Sequence, residues 1–421
     1  MLPHRSNRLV SLLPLLLTVS LTAQRVVVVD QANGPGTNWT TLTAAFADLH
    51  NDDYIIVRAG VYGGVAVTTG YDFVMVGEGN PIVNPTGTNT AMRITMNGSS
   101  YQRIAIRGLE FQSLVTGQPA LRLDTNYAWW PSPSAELENV TAISLSPQAD
   151  KLGLRTVAIG LTATNCHFAA SSISDCLASF VGCQIIGDNA SYYLSSAQRA
   201  MGGLSLNRSE VWLVDTIVDA GESMQLNNPP AAAIGFTESS YTTTSKVHVS
   251  GSSILSADQS PSPVWAVPAV LQNYQTWWVL PSNVDYEPTV GLVTAPGGTI
   301  ANANIVTTVH TVPTLQASDA PLGGAWTCTA HGATNDVAIL AIGTETHAQT
   351  LLGMSFLVDT GLAVVVGFAA LGGSGTGSAT FAPLAIPNNP TLRGTVLQGT
   401  GLFLAPNGAL QASNPVTGIL H

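Results

Sequence analysis

Between residues 100 and 260 the chain repeats one eight-residue pattern six times: apolar, any, apolar, any, turn residue, small, any, apolar. The blocks begin at Ile104, Ala135, Leu161, Ala178, Val211 and Val247 and end at Phe111, Ala142, Phe168, Ile185, Val218 and Ile254. The first half of each block alternates with period two, which predicts a short strand with one face on a core. The turn position is held by Gly108, Asn139, Asn165, Gly182, Asp215 and Gly251. These residue types adopt a left-handed backbone at least cost, so a left-handed bend is expected at each. The turns lie 31, 26, 17, 33 and 36 residues apart. A constant block with elastic connections predicts a solenoid whose coils carry loops of different length. Rungs about 4.8 Å apart in parallel register would then align two interior columns. One is Ile106, Leu137, Ala163, Phe180, Leu213 and Val249; the other is Phe111, Ala142, Phe168, Ile185, Val218 and Ile254. A β-sandwich would supply alternating strands without recurring offsets.

The pattern changes on either side of the repeat. Leu42, Ala45, Phe46 and Leu49 fall at i, i+3, i+4 and i+7, one apolar helical face that could cover the open end of a solenoid. Residues 281–312 hold Pro281, Pro288, Pro296 and Gly297-Gly298, which mark a linker or a last distorted coil. From 313 to 421 short apolar runs alternate with polar turns, at 325–330, 337–342, 354–358, 362–368, 378–381 and 395–404. That spacing predicts a small antiparallel β-sandwich. The expected fold is all-β: a parallel β-helix over 24–280, then the sandwich.

Composition changes the picture in three ways. Only 9% of the 421 residues are charged, against about 25% in a typical soluble protein, so Ser, Thr, Asn and Gln carry the surface. The net charge of −11, with 14 Lys plus Arg, argues against nucleic acid or an anionic membrane as partner. At the N-terminus Arg5 and Arg8 precede the apolar run Leu9–Leu21, with small residues before Gln24. Residues 1–23 therefore read as a signal peptide, a retained membrane anchor being the alternative. No later apolar run is long enough to span a bilayer. The mature chain is expected to be secreted or held at the cell surface. The four Cys, at 166, 176, 183 and 328, contain no C-x-x-C pair, so a structural zinc site is not expected and no cofactor is implied. Cys166 and Cys183 share one block offset. They should stack in adjacent coils within disulfide reach, about 5 Å between Cα atoms, as buried thiols more readily than as a bond.

Further residues carry a family resemblance. They are Asp30–Gly36, then Trp39-Thr-Thr-Leu-Thr-Ala-Ala-Phe46, Asp52–Tyr62 and Phe73-Val-Met-Val-Gly-Glu-Gly79. With these and the six blocks, residues 26 to about 256 resemble the right-handed parallel β-helix, or pectin-lyase-like, superfamily. The resemblance implies a right-handed coil with an N-terminal capping helix; its motifs specify a fold and no activity. The ending, Ile386-Pro-Asn-Asn-Pro-Thr-Leu-Arg-Gly394 with Leu397-Gln398 and Ala412-Ser-Asn414, resembles a module that often ends secreted planctomycete proteins.

That superfamily includes polysaccharide lyases, polygalacturonases and pectin esterases, so a catalytic member would carry one of their residue sets on the coils. Asp52-Asp53 falls in the cap turn. His331-Gly332 falls in the C-terminal domain, far from any coil. A lyase would need an Arg or Lys base beside a carboxylate cluster for Ca²⁺; Arg103 and Arg107 flank the first block, but no Asp-rich partner strand accompanies them. Glu136 and Glu138 are the best carboxylate pair. Both should point outward while Leu137 points in, about 7 Å apart, inside the roughly 6.5–9.5 Å of an inverting glycosidase. Two acids on one solvated strand face are the plainer reading. No His, Asp, Glu or Arg constellation recurs at offsets the coils would bring together. Tyr127, Trp129 and Trp130, in the long interval before Asn139, could stack on sugar rings; Trp277-Trp278 is a second such pair. Binding or adhesion to extracellular polysaccharide or a cell-surface component is the expected function. A polysaccharide hydrolase or lyase working in the lateral groove is the alternative.

Overall fold

The computed structural model describes residues 24–84, 90–98, 101–115, 118–125, 133–145, 152–187, 202–221, 232–237, 244–257, 270–272, 282–293, 305–344, 346–351, 354–358, 363–372 and 376–421. The segment 1–23, read above as an export signal, lies outside them. So do Tyr127, Trp129, Trp130, Trp277 and Trp278. No helix among the described residues is long and apolar enough to cross a membrane.

Eleven parallel strands build one long sheet, in chain order from Val26–Val29 and Asp53–Arg58 through Arg103–Arg107, Ser134–Glu138, Gly160–Thr164, Leu177–Val181, Glu210–Val214 and Lys246–Ser250. Ser282–Tyr286 and Ile305–Val309 add two more rungs, so part of the Pro- and Gly-marked segment continues the coil. A second, 16-stranded sheet supplies the other two sides of each coil. The strand His167–Ser174 pairs in both halves of it and joins them. The architecture is a parallel β-helix.

Register follows from the side-chain period. Ile106, Leu137, Ala163, Phe180, Leu213 and Val249 pair rung to rung, and all are buried. The second column runs as expected from Phe111 to Val218, then departs. Val218 pairs with Leu255, not with Ile254; Leu255 is fully buried and Ile254 is 38% exposed. The corner after Ser250 holds one residue more, Ser252, which moves the following strand on by one and flips its faces.

All six turn residues have positive φ, between 48° at Asp215 and 66° at Gly108 and Gly251. At Gly182 the φ is 63° and an added Cβ would lie 2.6 Å from Asn165 Oδ1. Replacing Gly182 by Val should therefore cost about 1–3 kcal/mol. An unchanged thermal melt would refute the requirement for the left-handed bend. A second corner of the same kind, unforeseen in the sequence, appears at Ala158, Asp175 and Arg208; Arg208 and Asp175 form an ion pair across two coils at 2.6 Å.

Behind the first corner runs a ladder of short side chains. Cys166 Sγ accepts the Val140 N–H, Cys183 Sγ the Cys166 N–H, Thr216 Oγ1 the Cys183 N–H and Ser253 Oγ the Thr216 N–H, at 3.0–3.4 Å. The corner amides of Val140, Cys166, Cys183 and Thr216, turned away from the sheet ladders, are each satisfied by the next coil, as a buried donor must be. A parallel ladder joins Cys176 N–H to Ser209 Oγ and Ser209 N–H to Ser245 Oγ, both at 3.1 Å. Cys166 and Cys183 do stack in adjacent coils, and both are free and buried; burial, with Cys183 alongside, pushes the Cys166 thiol well up.

One end is closed by the helix Leu42–Ala47, whose N-terminus is capped by Thr41 Oγ1 accepting the Ala44 N–H at 3.2 Å. Leu42, Ala45, Phe46 and Leu49 are all buried, and Phe46 meets Phe73 edge-on at 5.5 Å. Asp53 of the adjoining turn is buried against Arg25 at 2.6 Å, a structural ion pair.

The C-terminal part is a separate antiparallel unit. Thr314–Ala317, Cys328–Ala333 and Thr376–Thr380 form one sheet; Val337–Gly343, Val364–Ala370, Val396–Leu404, Leu410–Ala412 and Val416–Ile419 form another. Trp326, Leu340, Phe403 and Leu315 are in its core. This sandwich folds back onto the long sheet. Val396 and Ile419 pack on Tyr54, Val74 and Ala105, and Leu357 packs on Leu177 and Trp212.

Candidate functional site on the outer face of the long sheet

Strand alternation sends one column of side chains outward from the long sheet: Ala105, Glu136, Thr162, Ser179, Trp212, His248 and Asp285, each paired with the next. The expectation that no constellation of charged groups recurs at matching offsets is thus corrected. Trp212, His248 and Asp285 share one offset, and Glu210 and Lys246 share the offset two residues earlier. The signal was present in the blocks beginning at Val211 and Val247. It became complete only with the strand Ser282–Tyr286, in the segment whose Pro and Gly residues left open whether it was a linker or a last coil.

Glu136 and Glu138 point outward beside inward Leu137, as alternation requires, but the solvated face expected for them is not found. Glu136 is 1% and Glu138 9% exposed, because the sandwich lies over them. Burial pushes the Glu136 carboxyl up to about 7, with Arg103 and the Ser134 hydroxyl, which donates to Oε1 at 3.1 Å, opposing it. Its Oε2 has no hydrogen-bond partner. Burial also raises Glu138 to about 7, although Arg107 stands 3.3 Å away. Arg107 thus meets a carboxylate of the neighbouring strand, though not an Asp-rich one. It reaches on to Asp319 at 3.9 Å and to the His421 ring, so the cluster joins the two units and is shut off from a polymeric substrate.

The second cluster is nearer solvent. His248 Nε2 lies 3.2 Å from Glu210 Oε1 and Nδ1 lies 3.4 Å from Asp285 Oδ2. Lys246 and His310 approach Asp285 at 3.6 and 3.8 Å. The Trp212 indole stacks on the imidazole at 4.8 Å and 17°. Burial holds His248 below the usual imidazole range, against the pull of Glu210. Burial opposes ionisation of Glu210 too, but His248, the Ser355 hydroxyl and Lys246 outweigh it and keep the carboxyl below its usual range. Ser355, on the sandwich strand Met354–Val358, donates to Glu210 Oε2 at 2.6 Å. Such a chain can pass a proton between Glu210 and Asp285. Its members, however, are spent on one another, on Trp212 and on the sandwich. Ser355 ties the cluster to the sandwich.

Further contacts continue the junction: Asn414 Nδ2 donates to Ser179 Oγ at 3.4 Å, and Gln316 Nε2 to Asp215. His331, expected far from any coil, lines a cleft against Asp215 and Gly251. Among the described residues no group of three or more His, Cys, Asp or Glu could hold a metal ion. Tyr127, Trp129 and Trp130 fall between the strands Leu121–Thr125 and Ser134–Glu138, outside the described residues. No known family model matches the chain, and no curated protein matches its sequence.

Proposed function

We propose that this protein is an exported β-helix of the pectin-lyase-like kind that binds extracellular polysaccharide without cleaving it. The observation that carries this reading is where the coils vary. The corner leaving the long sheet stays short: two residues at Gly108-Leu109, Asn139-Val140, Asn165-Cys166, Gly182-Cys183 and Asp215-Thr216, three at Gly79–Pro81 and Gly251–Ser253, and four at Glu287–Val290. The corner between the two halves of the second sheet ranges from none, within His167–Ser174, to residues 187–203. The corner returning to the long sheet ranges from Ala158-Ile159 to residues 237–245. Variable loops on a rigid scaffold are where recognition usually resides. The sandwich packs on the outer face of the long sheet, which the tight corners border.

Trp129 and Trp130, with Tyr127 beside them, belong to one such returning connection and are the first choice for sugar contact. Changing both Trp to Ala should abolish retention on the glycan found in an unbiased array while the melting temperature stays within a few degrees. Polysaccharide cleavage by the purified protein, read as reducing ends or unsaturated products, would overturn the reading in favour of a hydrolase or lyase.

A further inference from the structure

A cleft of about 670 Å³ opens where the last coils meet the sandwich, within the roughly 300–1,000 Å³ of small-ligand sites, which favour domain junctions. The corner residues Asp215, Gly251 and Ser252 form one side together with Glu287, and Gln316 and His331 of the sandwich form the other. Backbone fixes both acids. Asp215 Oδ1 accepts the Ser252 N–H at 2.7 Å, and Glu287 accepts the Gly251 N–H through Oε2 and the Val312 N–H through Oε1, each at 3.1 Å. Among the described residues neither Lys nor Arg lines the cleft. Gln316 Nε2 donates to the other Asp215 oxygen from across the cleft, so each of the four carboxylate oxygens already accepts one hydrogen bond and keeps one lone pair for a further donor. His331 contributes a ring whose Nε2 is buried and has no hydrogen-bond partner. Ile254, 38% exposed, adds an apolar patch at the rim.

We infer that this cleft receives an uncharged sugar unit and rejects polyuronates, a statement that rests on the polysaccharide-binding reading and narrows it. Hydroxyl groups are the donors that a pair of fixed carboxylates selects, since hydrogen bonds to an ionised acceptor are the strong ones. A hydroxyl also serves His331 Nε2 in either tautomer, because it both donates and accepts. The C–H face of a pyranose matches Ile254. A uronate or sulfate ester would instead bring a third anion beside Asp215 and Glu287 with no cation to offset it. The net charge of −11 on the whole chain opposes a polyanion further.

The test uses the full mature chain in affinity electrophoresis through gels containing a neutral β-glucan, a galactomannan, polygalacturonate or alginate. Ser252→Trp and Thr289→Trp each fill the cleft from an exposed position, and His331→Phe removes the ring nitrogens. The wild type should be retarded by a neutral polymer and run freely in both polyuronates. Both Trp variants should weaken retention by about tenfold or more, equivalent to roughly 1.4 kcal/mol, at unchanged melting temperature, and His331→Phe should weaken it as well. Two rim variants guard against one of them failing to fold. Full retention of a neutral polymer by both folded Trp variants overturns the cleft and leaves polysaccharide binding standing. Retention in polyuronate overturns the charge selection alone. No retention of the wild type on any polymer overturns this inference together with the reading beneath it.

Discussion

At pH 9 the Glu136→Gln variant should be more stable than the wild type by about 2–4 kcal/mol, and near pH 4 the two should converge. The sign follows from the raised carboxyl. Its folded value, pushed up by burial to about 7, stands above the ordinary 4.5 of the unfolded chain. The folded state therefore binds the proton more tightly, and that stability is fully present below 4.5 and lost as pH rises through 7. Glutamine keeps the shape and the hydrogen bond with Ser134 but cannot ionise. Glu138 is a poorer reporter, because Arg107 at 3.3 Å compensates its charge. The measurement is a pair of denaturant titrations across pH 4–9. Parallel profiles for wild type and variant would mean that the sandwich does not lie on Glu136 in solution.

The second large effect is expected inside the coil. Phe180 is fully buried, meets Phe168 edge-on at 6.1 Å and sits in register between Ala163 and Leu213. Its ring fills the space that Ala163 leaves, and rungs tied on both sides cannot collapse into a gap. Phe180→Ala should cost about 3–5 kcal/mol by chemical denaturation. A loss below about 1 kcal/mol would contradict a close-packed interior.

The coil was legible in the sequence because both of its determinants are local and repeat. Alternation marks the inward column, and a left-handed bend admits few residue types, so Gly108, Asn139, Asn165, Gly182, Asp215 and Gly251 announced their corner. The one slip, Ile254 for Leu255, came from assuming a corner of fixed length where Ser252 had been added. The site was less legible for a different physical reason. Alternation says that Glu136 faces out, but not whether water or a domain from the other end of the chain lies there. A trace existed in the outward column itself, where Ala105, Thr162, Ser179 and Trp212 are small or apolar instead of charged. In a chain with so few charges anywhere, that trace did not stand out. The sandwich strands at 337–343, 354–358 and 396–404 were readable; their docking partner was not, because pairs such as Asn414 with Ser179 have no sequence period.

The corner ladder gives the solenoid a direction. Val140 waits for Cys166, Cys166 for Cys183, Cys183 for Thr216 and Thr216 for Ser253: the acceptor always belongs to the later coil. During synthesis from the N-terminus, a newly made coil holds an unsatisfied corner amide until 17 to 37 more residues have emerged and supplied its acceptor. A nascent chain stalled within the repeat is unfinished at its leading edge only, with the coils behind it already sealed. Gene rearrangements meet the same asymmetry. A coil inserted or removed between one ladder residue and the next keeps the series intact when it carries a Cys, Ser or Thr at this offset. A Val or Leu there offers the preceding corner amide no side-chain acceptor, as Val140 already offers none to Leu109.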